Sequence, residues 1–210
     1  MDSVSTDRKR REVMDENDAI QILKKNDRLM KILDSAEKLQ LTNWYLVAGC
    51  VFQTLWNDQE ELPLMSGLHD IDLVYHDPTL ALASSLIQDK KIENVLSQEF
   101  NLTFDVHNEA YMHVWKGRKI APYQSTENAI ERFIATVHAI GITKSAKQIT
   151  LFAPFGLDDI EHRLIRPIYH PDNSKELYET KVKKWQSRFN HLTIEQWQDQ
   201  RNFIDKANKS

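Results

Sequence analysis

The stretch GLHDIDLVYHD, residues 67–77, places two acids inside an apolar strand pattern. Aspartate is depleted in strands, so Asp70 and Asp72 need a reason to be there. In a strand, residues i and i+2 point to the same face. The two carboxylates therefore share one face, with Cα atoms ~6.6 Å apart, while Ile71 and Leu73 share the other. This spacing allows both carboxylates to converge on one cation or on a pair of cations.

Two interpretations of this acidic pair stay open from the residues alone. Carboxylate oxygens are ligands that suit Mg²⁺ or Mn²⁺, and without a cation the two charges would raise each other's pKa. Alternatively, Asp70 caps a turn and Asp72 pairs with a lysine or an arginine. A calcium loop is disfavoured, because residues 73–75 supply neither further oxygen ligands nor a glycine.

Composition bounds the class of protein. The chain has 210 residues, of which 41% are hydrophobic and 28% charged, with a net charge of −4 and one cysteine, Cys50. No stretch approaches the ~20 apolar residues of a membrane span, and the negative charge disfavours broad nucleic-acid binding. A lone cysteine cannot form an intrachain disulfide, so we expect a reducing compartment, the cytoplasm.

Two other segments are candidates for the same cleft. Residues 102–107 alternate strictly, which places Asp105 on the polar face of a strand together with Thr103 and His107. Upstream, an apolar strand runs through Gly49 directly into a helix. A glycine there allows close approach of the backbone, and the helix N-terminus offers free N–H groups to an anion such as a phosphate.

Strand patterns alternate with helical patterns along the chain, which indicates an α/β or α+β class. We expect a flexible charged tail over residues 1–16, one domain over residues 17–170, and a helical extension over residues 171–210 that packs on the same domain. Within the extension, apolar residues at helical spacing predict one helix through residues 178–189 and another that begins at Thr193. Asp77-Pro78 predicts the start of an earlier helix.

Five segments together resemble the nucleotidyltransferase fold of the polymerase-beta type. More specifically, the chain resembles a family of uncharacterised, largely bacterial nucleotidyltransferase-like proteins. The matching segments are NWYLVAGCVFQTLWN (43–57), HDIDLVYHD (69–77), FDVHNEAYMHVW (104–115), PYQSTENAIERFIATVHAIGI (122–142) and APFGLDDIEHRLIRP (153–167). The resemblance implies a mixed sheet flanked by helices, with the C-terminal helical extension.

The resemblance also implies roles for particular residues. Gly49 matches the glycine of the phosphate-side turn, Asp70 and Asp72 match the metal-binding pair, and Asp105 matches the third acid. Many members of the fold carry a serine or glycine after the turn glycine, and here that position is Cys50. Backbone contact with a phosphate survives this change, whereas a hydroxyl contact does not.

The implied function is transfer of a nucleoside monophosphate from a nucleoside triphosphate to an unknown acceptor hydroxyl, with Mg²⁺ or Mn²⁺ as cofactor. Asp70, Asp72 and Asp105 would hold the metal, and Asp105 is also a candidate general base. Gly49, Cys50 and Arg166 are the candidate nucleotide-binding residues, although a solvated surface arginine is the alternative for Arg166.

Three alternatives remain. A catalytically lapsed nucleotide-binding or protein-binding module would keep the fold without the chemistry. A metal-dependent phosphohydrolase would use the His69-Asp70 doublet, but such sites draw their ligands from helices and this segment has strand character. Cys50 could be an activated thiolate at a helix start, although a lone cysteine is more often a small core residue.

Overall fold

The computed structural model describes residues 14–114 and 120–198. The strands are β1 (Tyr45–Val47), β2 (Asp70–Tyr75), β3 (Thr103–Asn108), β4 (Gly141–Ser145), β5 (Gln148–Phe152), β6 (Leu164–Ile165) and β7 (Thr193–Ile194). The α-helices are α1 (Glu16–Lys24), α2 (Asp27–Lys38), α3 (Gly49–Gln59), α4 (Leu82–Phe100), α5 (Thr126–Ile130), α6 (Asp158–Glu161) and α7 (Lys175–Gln186), and a 3₁₀ turn spans Glu109–Tyr111. Most of the predicted tail and the last twelve residues of the predicted extension lie outside the described residues.

The main sheet has five strands in the order β3-β2-β1-β4-β5. Only β2 and β3 run parallel, and α4 makes the crossover that a parallel pair requires. The other neighbours, β2 with β1, β1 with β4 and β4 with β5, are antiparallel. This mixed sheet flanked by helices confirms the predicted α+β class and the nucleotidyltransferase-like architecture.

The alternation along β2 separates the two faces of the sheet. Ile71 and Leu73 are fully buried in the main core, where the sheet packs against helices. Asp70, Asp72 and Val74 point to the opposite face, where Val74 packs in a smaller apolar cluster with Tyr45 and Val47 of β1. The acids therefore lie on a face that is only partly apolar, while the other face anchors the strand.

The C-terminal part packs on the domain through aromatic residues. Tyr178 and Trp185 of α7 are buried, and the ring of Trp185 lies 5.5 Å from that of Phe52 in α3. Phe189, just after α7, contacts Trp56 of α3 with ring centroids 5.0 Å apart. The interpretation of these aromatic residues as packing residues is confirmed, and α7 is thereby held against the N-terminal part of α3.

Two secondary-structure predictions were wrong. Thr193 begins the strand β7, which pairs in parallel with β6, and not a helix; two apolar residues at helical spacing do not distinguish a helix from a two-residue strand. Likewise α4 begins at Leu82, because the Asp77 carboxylate accepts hydrogen bonds from the backbone N–H and the hydroxyl of Thr79 and closes a turn instead.

Candidate active site

Three carboxylates share one face of the β2–β3 pair. The parallel register places Asp72 opposite Asp105 and Asp70 opposite Thr103. Because side chains alternate along each strand, Asp70, Asp72 and Asp105 all point to the same side. Asp70 and Asp72 are half-buried and Asp105 is exposed. The two acidic strands are thus direct neighbours, as a shared cleft requires.

Burial and neighbouring negative charges disfavour the ionised form of Asp72 on this face. Burial and the negative charge of Asp70 raise the pKa of Asp72 from its ordinary value of 3.8 to about 6; Asp105 adds to the rise, whereas Lys181 and Lys184 oppose it. A cation beside these carboxylates would relieve the repulsion.

The donors on this face are hard carboxylate oxygens, which fit Mg²⁺ or Mn²⁺ in kind and in charge. No group of three His, Cys, Asp or Glu side chains in the described residues is arranged so that it could hold a metal ion. The fit therefore rests on the chemistry of Asp70, Asp72 and Asp105 and on the raised pKa of Asp72, not on a preformed coordination geometry.

The turn that opens α3 lies beside the acids. Val47 pairs with Asp72 across β1 and β2, and the chain then passes through Ala48 into the helix. Ala48 has a φ of 57° and a ψ of −117°, a conformation that a residue with a side chain rarely adopts. Strain of this kind persists only where the surroundings enforce it, and it clusters at functional sites.

This turn leaves backbone donors at the helix N-terminus. The N–H groups of Val51 and Phe52 both donate to the Ala48 carbonyl, at 3.0 and 3.1 Å. No side chain caps α3, so its first N–H groups have no capping partner; Gly49 is partly exposed there, whereas Cys50 is fully buried.

Two lysines of α7 provide positive charge opposite the acids. The Lys184 Nζ lies 3.7 Å from an Asp70 carboxylate oxygen. Lys181 lines the cavity next to Asp72. The electrostatic influence of both lysines also reaches His138, whose pKa burial lowers well below its ordinary value, so the ring is neutral at neutral pH.

A cavity of about 330 Å³ covers the acidic face. Its floor is formed by the end of β1, Asp72 and Val74. Its opposite wall is formed by Tyr123, residues 132–134, His138, residues 172–173, and Leu177 and Lys181 of α7. The Asp72 carboxylate, Ala48 of the turn before α3 and the Lys181 side chain thus line one space. This combination can hold a phosphate-bearing ligand beside a cation.

Comparison with known proteins identifies the family. A nucleotidyltransferase family model matches residues 34–194, which is most of the chain. The chain belongs to the nucleotidyltransferase family. The matched residues include every residue that lines the cavity.

A solved structure agrees with the family in fold. An NMR structure described as revealing a CCA-adding enzyme head domain is 25% identical to this nucleotidyltransferase-family protein, with a TM-score of 0.74 over 87% of this chain and 97% of that one. A tRNA-processing enzyme complex shows 17% identity and a TM-score of 0.48 over 85% of this chain and 46% of that one. Among curated proteins, none matches the sequence significantly.

Cys50 occupies the position after the turn glycine, but its side chain points away from the cavity. It is fully buried, and its Sγ donates to the Val47 carbonyl at 3.3 Å. Burial, followed by the charge of Asp72, raises the pKa of the thiol. These features disfavour a thiolate nucleophile.

Arg166 is not brought to the cavity. Its guanidinium is half-exposed and faces Asp159 at 3.4 Å and Glu195 at 3.8 Å. Of the other predicted site residues, Asp70, Asp72 and Asp105 share one face of the sheet, and Gly49 begins the helix that follows β1, whereas Cys50 is buried in the main core. The assignment of Arg166 to phosphate binding thus stays a prediction that the geometry does not support.

Sequence reasoning missed Lys181 and Lys184. The segment was interpreted as a packing helix because Tyr178, Val182 and Trp185 form its buried stripe. A usable signal existed, since residues three apart on a helix lie on one side. The sequence alone did not indicate which surface that side of α7 faces; the fold shows that it faces the acids.

None of the described helices has both the length and the hydropathy of a membrane span.

Proposed function

We propose that this protein transfers a nucleoside monophosphate from a nucleoside triphosphate to an acceptor hydroxyl, with Mg²⁺ or Mn²⁺ as cofactor. The family supports nucleotidyl transfer. The single observation that carries the proposal is the strand register, which puts Asp72 beside Asp105 on β3 and beside Val47 at the end of β1. The proposed metal ligands would thereby lie next to the turn proposed to bind phosphate, as in-line transfer at a phosphorus requires.

Asp70, Asp72 and Asp105 are the proposed metal ligands. A divalent cation bound there would neutralise charge on the phosphates and lower the pKa of an acceptor hydroxyl. The half-buried pair, Asp70 and Asp72, would hold the cation next to the cavity. The exposed Asp105 lies towards solvent, on the side from which an acceptor can approach.

The triphosphate would lie between the α3 N-terminus and α7. The N–H groups of Gly49 and Cys50 would donate to phosphate oxygens at one side, with the helix dipole favouring the negative charge. Lys181 and Lys184 would pair with phosphate oxygens from the opposite side. Lys184 would exchange its contact with Asp70 for a phosphate, which frees that carboxylate for the cation.

Asp105 is the proposed general base. It would take the proton of the acceptor hydroxyl as the hydroxyl oxygen attacks the α-phosphorus. The new oxygen–phosphorus bond forms as the bond to the β-phosphate oxygen breaks, and pyrophosphate leaves. Most of the rate enhancement would come from positioning and from charge neutralisation.

One observation favours a second candidate, a nucleotide-binding module that has lost the chemistry. Lys184 already faces Asp70, and the charge of Lys181 already opposes the rise in the pKa of Asp72. Lysines that neutralise an acidic pair remove part of the need for a cation. In this alternative nucleotides bind through α3 and α7, but no divalent ion strengthens their binding and no transfer follows.

Nucleotide binding and pyrophosphate release separate the two candidates. Thermal unfolding of the full chain with each of the common ribonucleoside triphosphates should show stabilisation that depends on Mg²⁺ or Mn²⁺, by about 2.7 kcal/mol at ~100 times the dissociation constant. Release of pyrophosphate should be tested with small-molecule, protein and RNA acceptors.

Stabilisation without any dependence on a divalent ion would support the lapsed module. If no nucleotide stabilises the chain with either ion, both candidates fail.

A further inference from the structure

The inner wall of the cavity contains two buried polar atoms that lack a partner. Oδ1 of Asp172 and Nδ1 of His138 are shielded from solvent, and neither has a hydrogen bond within the described part of the chain. Both residues line the cavity that contains Asp72. A buried polar atom without a partner is costly and rare in native structures, so a bound ligand is the natural source of the missing hydrogen bonds.

Asp172 is held in place from one side only. Its side chain is 2% exposed, and its Oδ2 accepts a hydrogen bond from the Tyr123 hydroxyl at 2.6 Å. His170 Nδ1 lies 3.2 Å from Oδ1, but the same nitrogen accepts the backbone N–H of Asp172. A nitrogen that accepts this bond has no proton to donate to Oδ1, which therefore awaits an N–H or O–H donor from outside.

Flat side-chain groups line the same cavity as Asp172. The Arg132 guanidinium lies over the Tyr123 ring, 5.1 Å from its centroid, and the rings of Phe133 and His138 are 5.2 Å apart. Rings and guanidinium planes of this kind stack with the bases of nucleotides.

The wall is also fixed in position. Asn173 Nδ2 donates to the carbonyls of Arg132 and Phe133 at 3.2 and 3.1 Å. A wall tied to its neighbours in this way presents its rings and its unpaired acceptor in a defined arrangement, which a specificity pocket requires.

We propose that this wall binds the nucleobase of the substrate, with Asp172 accepting a hydrogen bond from an amino group of the base. The inference rests on the proposed function and adds a substrate preference to it. Adenine, cytosine and guanine carry amino groups, whereas uracil presents one N–H between two carbonyl oxygens that the carboxylate would repel. Nucleotides with an amino group on the base are therefore preferred over UTP.

Calorimetric titration with ATP, CTP, GTP and UTP in Mg²⁺ tests the preference. Sites built to hydrogen-bond a ligand group discriminate strongly against ligands that lack it. We expect UTP to bind the wild-type chain at least about tenfold more weakly than the best of the other three, and Asp172→Asn to reduce that difference to about threefold or less. Inorganic tripolyphosphate, which has no base, should bind both proteins alike.

Asp27→Asn is the control, because it removes a carboxylate at an exposed position in the first turn of α2. It should keep the preference against UTP. Loss of the preference in Asp27→Asn to the same extent as in Asp172→Asn would mean that the effect is one of general charge, and would overturn the assignment of Asp172.

A second measurement needs no variant and stands if Asp172→Asn fails to fold. Purine riboside triphosphate lacks the amino group of ATP, and inosine triphosphate lacks that of GTP. In at least one of these two pairs, the nucleotide without the amino group should bind the wild-type chain about tenfold or more weakly than its partner.

Failure of the inference and failure of the proposed function are distinguishable. If ATP, CTP, GTP and UTP bind equally, and neither amino-group deletion weakens binding, nucleotide binding survives and the base preference is overturned. If none of the four nucleotides binds, both are overturned.

Discussion

The acidic floor of the cavity comes from β2 and β3, whereas the wall opposite it comes from residues 132–138, 172–173 and α7. The floor carries carboxylates on two hydrogen-bonded strands, and one short stretch, residues 70–72, supplies two of them. The wall carries Arg132 and His138 from one segment and Lys181 from α7, much further along the chain. The comparison teaches that the proposed metal ligands are encoded largely by one short stretch of sequence, whereas the surface proposed to recognise the rest of the substrate depends on how distant segments pack.

The largest expected effect comes from the floor. Asp72→Asn should lower nucleotidyl transfer by about 10³-fold, since it removes a central metal ligand and the charge stabilisation that depends on it. Pyrophosphate release measures the loss. Asp27→Asn, at an exposed position in the first turn of α2, is the control and should keep the wild-type rate. A rate for Asp72→Asn within about threefold of the wild type would remove Asp72 from the site.

A smaller effect is expected from the wall. Lys181→Met or Lys184→Met should weaken nucleoside triphosphate binding by about 10- to 100-fold, because each removes a charge-assisted hydrogen bond to phosphate. Calorimetric titration measures the dissociation constants.

Lys175→Met is the matched control on the same helix. Lys175 is half-exposed and faces Glu179 at 3.9 Å, so its loss should leave nucleotide affinity unchanged. Equal losses in all three variants would indicate a general effect of charge, not a phosphate site on α7.

The acidic floor also predicts a pH dependence with a defined sign. The pKa of Asp72 in the fold, about 6, lies above its ordinary value of 3.8. Without metal, the protonated carboxylate therefore stabilises the fold fully below about pH 4, and this contribution is lost as the pH rises through about 6. Metal binding needs the ionised form, so the stabilisation by Mg²⁺ should appear above about pH 6 and fade below it.

Thermal unfolding across this pH range, with and without Mg²⁺, measures the stability of the metal-free chain and its stabilisation by Mg²⁺. Asp72→Asn should abolish the response to Mg²⁺ and make the metal-free chain more stable than the wild type above about pH 6, since a buried repulsion is gone. A metal response that is unchanged between about pH 5 and about pH 8 would contradict the raised pKa.

The smallest effect is expected at Cys50, which lies in the first turn of α3 and is buried in the main core. Cys50→Ala should lower the free energy of unfolding by about 1 kcal/mol, because it leaves a small gap and removes the contact with the Val47 carbonyl. Transfer should stay within about threefold of the wild type. Denaturant unfolding and pyrophosphate release check the two parts, and a much larger loss of activity would assign a chemical role to the thiol.

Much of the floor was predictable from the sequence. The two-residue period of residues 70–73 shows which side chains share a face, and the alternation through residues 102–107 does the same for Asp105. The adjacency of the two strands was not implied by either pattern. It follows from the parallel register that α4 allows.

The wall was not predictable, for a physical reason. Lys181 and Lys184 became site candidates only because packing of Trp185 against Phe52 places α7 beside the acids. Arg166 lay in a promising segment, but its position near Asp159 directs it elsewhere. Apolar periodicity specifies which side of a helix is buried, and it does not specify what the remaining side faces.

The turn before α3 is a second example of a feature that the sequence predicted only in part. A glycine in the sequence pointed to Gly49 as the special backbone position, whereas the positive φ belongs to Ala48. A side chain added at Gly49 would meet the flexible end of Gln53 at 2.8 Å. A glycine in the sequence can indicate a turn, but which residue of the turn has the positive φ depends on the strand and the helix that the turn joins.

Binding of Mn²⁺, followed by electron paramagnetic resonance in the presence of ATP, tests the central claim most directly, because it detects the metal at the carboxylates without requiring the acceptor. The account predicts saturable Mn²⁺ binding by the wild-type chain and by Asp27→Asn, and its loss in Asp72→Asn. Equal Mn²⁺ binding by the wild type and Asp72→Asn would contradict the assignment of the acidic face as the metal site.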